Sequence, residues 1–324
     1  MRRLLLGLVV VLLAAAVGPP IAARLFGWGP DPSLRPPPGR SVAIGNGLSL
    51  NVLEVGTGPP VILVHGLPSC AYDWATLPQK LAARGYHVIA YDRVGYGYSS
   101  RPAATADRYT YESNARDLAG LLDALGIQRA ALVGWSYGGA VVQTLAADAP
   151  ERVSQLVLVA AVGPAQPENG DDPLSLVLAS PFGNAILAWV SSVPPLARRM
   201  TRENVAQAFS GDQAVPPKWT EYTQAMLALP GTLNSFVLEA QRGVASSLRP
   251  QALHVPTLIL EGTADRLVPP AVAEDLHRRL AGSELVTIPN ASHMLPVTHA
   301  DLLAERIDTF LRAHGGPPPG GARA

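Results

Sequence analysis

One serine is placed for chemistry by its neighbours. A short apolar run, Ala130 to Val133, leads straight into Gly134-Trp135-Ser136-Tyr137-Gly138-Gly139 and continues at once as the helical pattern of Ala140, Val141, Leu145 and Ala146. A strand that stops at glycine and restarts as a helix turns sharply, and the residue at the apex takes a strained backbone with its side chain clear of the sheet. Ser136 is that residue. Glycines two positions to either side have a steric role, since a Cβ there would meet the adjoining strand or helix. A serine hydroxyl is a weak nucleophile near neutral pH, so the chemistry also needs a base within hydrogen-bond reach and a third group that fixes the tautomer of that base. The bland alternative for Ser136 is a strained turn that reacts with nothing.

The pattern Gly-x-Ser-x-Gly between strand and helix is the nucleophile elbow. On it the chain resembles the α/β-hydrolase superfamily, in its serine-nucleophile, esterase- and lipase-like branch, from about Ser41 to about Ala313. The resemblance implies an α/β-hydrolase fold: a mostly parallel central sheet flanked by helices, with an inserted helical cap. It also implies the chain order serine, acid, histidine, with the last two on loops after late strands. Asp265 follows the strand Thr257 to Glu261 across Gly262-Thr263-Ala264, and His293 follows the strand Glu284 to Ile288 across Pro289-Asn290-Ala291-Ser292. Ser136, Asp265 and His293 are thus the expected catalytic residues. Two backbone N–H groups should meet the oxyanion, and the resemblance assigns them to Tyr137, after the nucleophile, and Leu67, in the turn after the first buried strand. Pro68 has no N–H of its own and stiffens that turn.

Competing residues have weaker claims. His65 lies in an H-G-x-P turn, where its expected task is to brace the loop; His299 sits near the start of the last helix; His87, His254, His277 and His314 have no placement argument. Asp92 ends a strand and is expected to secure its own loop, and Glu261 lies inside its strand rather than after it. His65 to Pro68 and the loop Asp92 to Ser99 are similar to those of haloalkane dehalogenases and epoxide hydrolases, which carry aspartate at the elbow. Serine at 136 argues against their chemistry. What is left is ester cleavage through an acyl-enzyme, C–C bond hydrolysis or cofactor-free perhydrolysis, and, from another class, a non-catalytic binding module on the same fold.

The elements that must position these residues are legible as a rhythm. Val42 to Ile44 and Leu48 to Leu53 flank Asn46-Gly47, a hairpin signal. Val61 to Val64, His87 to Tyr91, Leu156 to Ala160 and Thr257 to Glu261 are continuous aliphatic runs of the kind found in parallel strands covered on both faces. Leu118, Leu121, Leu122 and Leu125 mark an amphipathic helix. Between 163 and 249 the strands cease and helix-compatible pieces appear, Ser175 to Val190, Arg198 to Phe209 and Trp219 to Leu229, many of them apolar. The organisation expected is an N-terminal segment 1–26, a Pro/Gly linker 27–40, core 41–163, helical cap 164–249, core 250–314 and a disordered tail 315–324. An apolar small-molecule ester is the expected substrate.

Composition excludes several classes. In 324 residues, Lys+Arg and Asp+Glu each number 25, so no basic field exists for nucleic acid. The single cysteine, Cys70, forms no internal disulfide. No H-E-x-x-H, C-x-x-C or phosphate-loop pattern occurs, and no metal or cofactor is expected. Arg2 and Arg3 precede an uncharged stretch from Leu4 to Ala23, whose twenty positions would span roughly 30 Å as a helix. It reads either as a signal peptide cut after Ala14-Ala15-Ala16 or as an uncleaved membrane anchor; its continuation through Ile21 to Ala23 favours the anchor, and the arginines favour an extracytoplasmic catalytic domain.

Overall fold

The structure, a computed structural model, describes residues 17, 18, 21, 22, 25, 30–105, 107–166, 182–211, 214–243 and 247–315. A hairpin opens the domain: β1 (Arg40–Gly45) and β2 (Leu48–Val55) pair antiparallel, and Asn46 and Gly47 at its turn take φ of 52° and 72°, the left-handed pair that a type I′ turn demands. Strand and helix then alternate through β3 (Pro60–Val64), α1 (Leu77–Ala82), β4 (His87–Tyr91), α2 (Tyr111–Ala124), β5 (Ala130–Trp135), α3 (Tyr137–Asp148) and β6 (Val153–Val159). Among the described residues four helices follow, α4 (Gly183–Ser192), α5 (Pro194–Ala208), α6 (Trp219–Leu227) and α7 (Thr232–Arg242). Alternation resumes with β7 (Thr257–Gly262), α8 (Pro270–Arg279), β8 (Glu284–Ile288), the short α9 (Leu295–Thr298) and α10 (Ala300–Ala313).

The strands form one sheet in the order β1-β2-β4-β3-β5-β6-β7-β8, in which β2 runs against its neighbours and β3 to β8 are parallel. Side chains alternate across it, as the pleat dictates. On β3, Ile62 and Val64 join Leu118, Val141 and Leu276 on one face, while Val61 and Leu63 join Leu81, Leu303 and Phe310 on the other. Both faces are therefore covered, which is why the strands read as continuous apolar runs. All the parallel strands point their carboxyl ends to one edge, where open α/β sheets bind ligands.

The expected helical pieces 198–209 and 219–229 correspond to α5 and α6, and α4 covers part of 175–190, of which 175–181 lie outside the described residues. The pattern did not single out α7. The proline-rich stretch before β1 is tied down: Tyr98 donates to Pro36 O at 2.6 Å, Tyr72 donates to Pro37 O, and Arg35 Nε donates to Ala225 O of α6 at 2.8 Å. Residues 316–324, expected as a tail, lie outside the described residues.

The membrane-anchor expectation is corrected. No helix among the described residues is long and apolar enough to cross a membrane, and the extracytoplasmic placement that rested on such a span goes with it. Residues 1–16, most of the stretch Leu4 to Ala23, lie outside the described residues. Gly18-Pro19-Pro20 lies inside that stretch, and its two prolines lack backbone donors that a continuous helix would use.

Candidate active site

Ser136 stands where β5 becomes α3, with φ 56° and ψ −123°, a strained conformation for a residue with a side chain. The surroundings hold it there. Its N–H donates to Val159 O at 3.0 Å and its carbonyl accepts from Gly139 N–H at 2.8 Å. The elbow glycines are forced by close approach: a Cβ on Gly138 would lie 2.1 Å from Val64 O and 2.6 Å from His65 O, and one on Gly134 would lie 2.5 Å from Gly138 O.

Asp265 and His293 come together. Asp265 Oδ2 lies 2.6 Å from His293 Nδ1, and both side chains are buried. The other oxygen, Oδ1, accepts from Leu267 N–H at 2.8 Å and Val268 N–H at 2.9 Å, so the carboxylate is fixed by its own loop. His293 is set from the opposite side, where Trp135 Nε1 donates to His293 O at 3.0 Å and the two rings lie 5.7 Å apart. With Nδ1 on Asp265, the imidazole offers Nε2 for proton transfer. Ser136 and His293 line the same cavity, though no hydrogen bond joins them; such contacts often form only with substrate in place.

Leu67 and Tyr137 also line this cavity, and their N–H groups donate to nothing among the described residues. Behind Leu67, His65 is fully buried; its Nδ1 donates to Gly66 O at 2.9 Å and its Nε2 accepts from Arg93 N–H at 2.9 Å. Burial, reinforced by the Arg93 charge, holds its pKa well below the ordinary histidine value, so it is a neutral brace. Asp92 likewise secures its loop, accepting from Ala71 N–H, Tyr98 N–H and Asn51 Nδ2. Glu261 is fully buried next to Asp265, and burial, with the Asp265 charge adding, pushes its carboxyl well above the usual carboxylate range. Its Oε1 accepts from Gly262 N–H at 2.9 Å and its Oε2 has no partner among the described residues.

The cavity, about 360 Å³, lies between the strand ends and α4–α7. Leu187, Val205, Phe209, Trp219, Leu233 and Phe236 supply much of its wall. Asp73 and His293 are the carboxylate and imidazole among its lining residues, and no Lys or Arg lines it among the described residues. Within 30–315, the undescribed stretches 106, 167–181, 212–213 and 244–246 contain no Lys or Arg either. No group of His, Cys, Asp and Glu among the described residues is arranged to hold a metal. Trp135, Leu267, Val268 and Glu239 escaped the sequence reading; Trp135 is the variable residue before the serine, and nothing in the sequence signals that its indole would reach His293.

Comparison with known proteins agrees with this architecture. A family model described as alpha/beta hydrolase fold matches residues 59–300. A putative non-heme chloroperoxidase of Synechocystis sp. is 32% identical over 271 residues, covering 80% of this chain and 93% of that protein. The 2-hydroxy-6-oxo-2,4-heptadienoate hydrolase of Pseudomonas putida is 30% identical over 285 residues, covering 85% and 96%. A thermophilic esterase from Thermogutta terrifontis superposes with a TM-score of 0.65 at 26% identity, covering 85% of this chain and 99% of that one. Fold, elbow and relatives together make this chain a member of the α/β-hydrolase superfamily.

Proposed function

We propose that the protein is a serine hydrolase that cleaves uncharged carboxylic esters of apolar acids through an acyl-enzyme on Ser136. The observation that carries this reading is the convergence on one apolar cavity of a strained serine, an imidazole held 2.6 Å from a buried carboxylate, and two residues whose backbone N–H groups have no partner among the described residues. Ser136 Oγ attacks the ester carbonyl carbon while His293 Nε2 takes its proton, and Asp265 steadies the imidazolium. Negative charge on the carbonyl oxygen meets Leu67 and Tyr137 N–H, the latter at a helix N-terminus. The alcohol leaves with the proton from His293; water, deprotonated by the same imidazole, then releases the acid and restores Ser136.

The absence of Lys and Arg from the described lining residues supports an uncharged acyl group. A substrate with a carboxylate, as the name of the Pseudomonas putida relative implies for its own, would bring an anion beside Asp73 with no cation to offset it. A fluorophosphonate probe and p-nitrophenyl esters of graded chain length test the proposal. The expected result is labelling of the wild type, none of Ser136→Ala, and an esterase rate that falls by about 10⁴-fold or more in that variant. Equal labelling of both, or a folded wild type inert to probe and esters alike, overturns it. Turnover of vinylogous diketones would instead mark C–C hydrolysis, and peroxide-dependent halogenation a perhydrolase.

A further inference from the structure

The peptide unit joining Gly66 to Leu67 has two ends with different environments. Leu67 lines the cavity and its N–H donates to nothing among the described residues, whereas the carbonyl of the unit, Gly66 O, accepts from His65 Nδ1 at 2.9 Å and from Arg93 Nη2 at 2.9 Å. Arg93 is buried and serves several groups at once. Its Nε donates to His65 O at 3.1 Å, and its Nη1 donates to Asn114 Oδ1 at 3.1 Å and Glu239 Oε1 at 2.7 Å. The guanidinium also lies 4.5 Å from the ring centre of Tyr137. Glu239 belongs to α7, so the ion pair joins the helical insertion to the turn that presents Leu67.

From this we infer that Arg93, held in place by Glu239, is a positioning residue that aims and strengthens the oxyanion donor at Leu67. In a trans peptide the C=O and N–H point in opposite directions, so two donors fixed on Gly66 O leave the N–H directed into the cavity. They also polarise the unit: a hydrogen bond at one end of an amide strengthens the bond made at the other by about 10–30%. A cationic donor acts more strongly than a neutral one. The insertion thereby contributes to the chemistry through Glu239, without touching the reacting atoms. The inference rests on the acyl-transfer reading above.

Removing only one member of a buried ion pair strands the other charge, whereas exchanging both for apolar residues is often tolerated. The test therefore uses the double variant Arg93→Met/Glu239→Leu, with Arg93→Lys beside it, in the full chain. With p-nitrophenyl butyrate the double variant is expected to lose about 10- to 100-fold in kcat with KM within about 2-fold, less than the 10²–10³ for outright loss of a donor. Butylboronic acid, which forms a tetrahedral adduct, should bind more weakly by a similar factor, while 1-butanol, which forms none, should inhibit equally well. Arg93→Lys keeps the charge but not the fork that spans Gly66 O and Glu239, and should fall between. A double variant that melts as the wild type does and keeps its kcat overturns the inference; so does a loss confined to KM with weaker 1-butanol inhibition. A second readout needs no catalysis. In protein labelled with ¹³C-glycine carbonyl and ¹⁵N-leucine, the Leu67 amide signal should shift in the double variant. If it shifts while the wild type fails to label with fluorophosphonate, the acyl-transfer reading is wrong and the brace stands; if the wild type labels and the signal does not move, the brace is wrong.

Discussion

The floor of the cavity and its roof differ in what holds their residues, close backbone approach below and side-chain contacts above. On the floor, Ser136 is bent by glycines within two positions of it, and Asp265 takes its two N–H bonds from Leu267 and Val268. On the roof, the helices after β6 hold their places by contacts that cross long stretches of chain: Glu239 to Arg93 and Asn114, Tyr222 OH to Asp73 at 2.8 Å, and Ala225 O to Arg35. Geometry below is backbone-determined and tolerates little. Geometry above is set by side-chain packing, so its shape can change while the chemistry beneath stays in place.

The sharpest way to break that comparison is at the floor. Gly138→Val sets a branched side chain against Val64 O and His65 O, two backbone atoms that cannot turn away. Such overpacking should cost about 4 kcal/mol or more, enough to deprive a protein of ordinary stability of most of its folded population. Soluble yield and thermal melting measure it. A variant that melts within a few degrees of the wild type would mean that the elbow has slack the structure does not suggest.

A subtler probe of the same floor is Glu261→Gln. Burial raises the Glu261 pKa, with the Asp265 charge adding, so the folded protein favours the protonated carboxyl. For an acid raised on folding, the stability is fully present below the unfolded value, about 4.3, and is lost as pH rises through the folded value. Glutamine does not titrate and can donate where the protonated acid would. The stability of Glu261→Gln relative to wild type should therefore grow with pH, by up to about 1.4 kcal/mol per pH unit within that window. Urea midpoints at pH 5, 7 and 9 read it directly. Parallel curves would show that Glu261 has an ordinary pKa.

The contrast also explains what was legible in the sequence. The hairpin at Asn46-Gly47, the buried strands, the elbow and the loops bearing Asp265 and His293 depend on short-range chemistry, and their residue types reveal them. Glu239 does not reveal itself: on α7 it reads as an ordinary helical glutamate, and only the fold sets it against Arg93 from more than a hundred positions away. Trp135 is equally silent, since its indole acts on a loop brought in by β8. The N-terminal expectation falls for the opposite reason: it rests on an uncharged run, whereas a membrane span needs a continuous helix, and no helix among the described residues is long and apolar enough.

The roof offers the mildest test, at Phe236. This residue lines the cavity on α7 and packs beside Leu187 and Val237, a small cluster apart from the two main cores. Phe236→Ala opens space where the cavity already is, so the cost to folding should be about 1–2 kcal/mol, below the 3–5 typical of a sealed core. The effect on selection should be plainer. The preferred acyl chain should lengthen by about one or two carbons, changing the kcat/KM ratio of long to short p-nitrophenyl esters by about 10-fold. Labelling by a small fluorophosphonate should stay within about 2-fold, because Ser136, His293 and the proposed N–H donors all belong to the floor. If labelling falls in step with ester turnover, roof and floor are not separable at this position. Phe236 and Glu239 lie on the same helix, three positions apart. One helix would then carry both a side chain that shapes the substrate space and a carboxylate that reaches through Arg93 to the oxyanion turn, and the two substitutions distinguish those contributions by what each leaves unchanged.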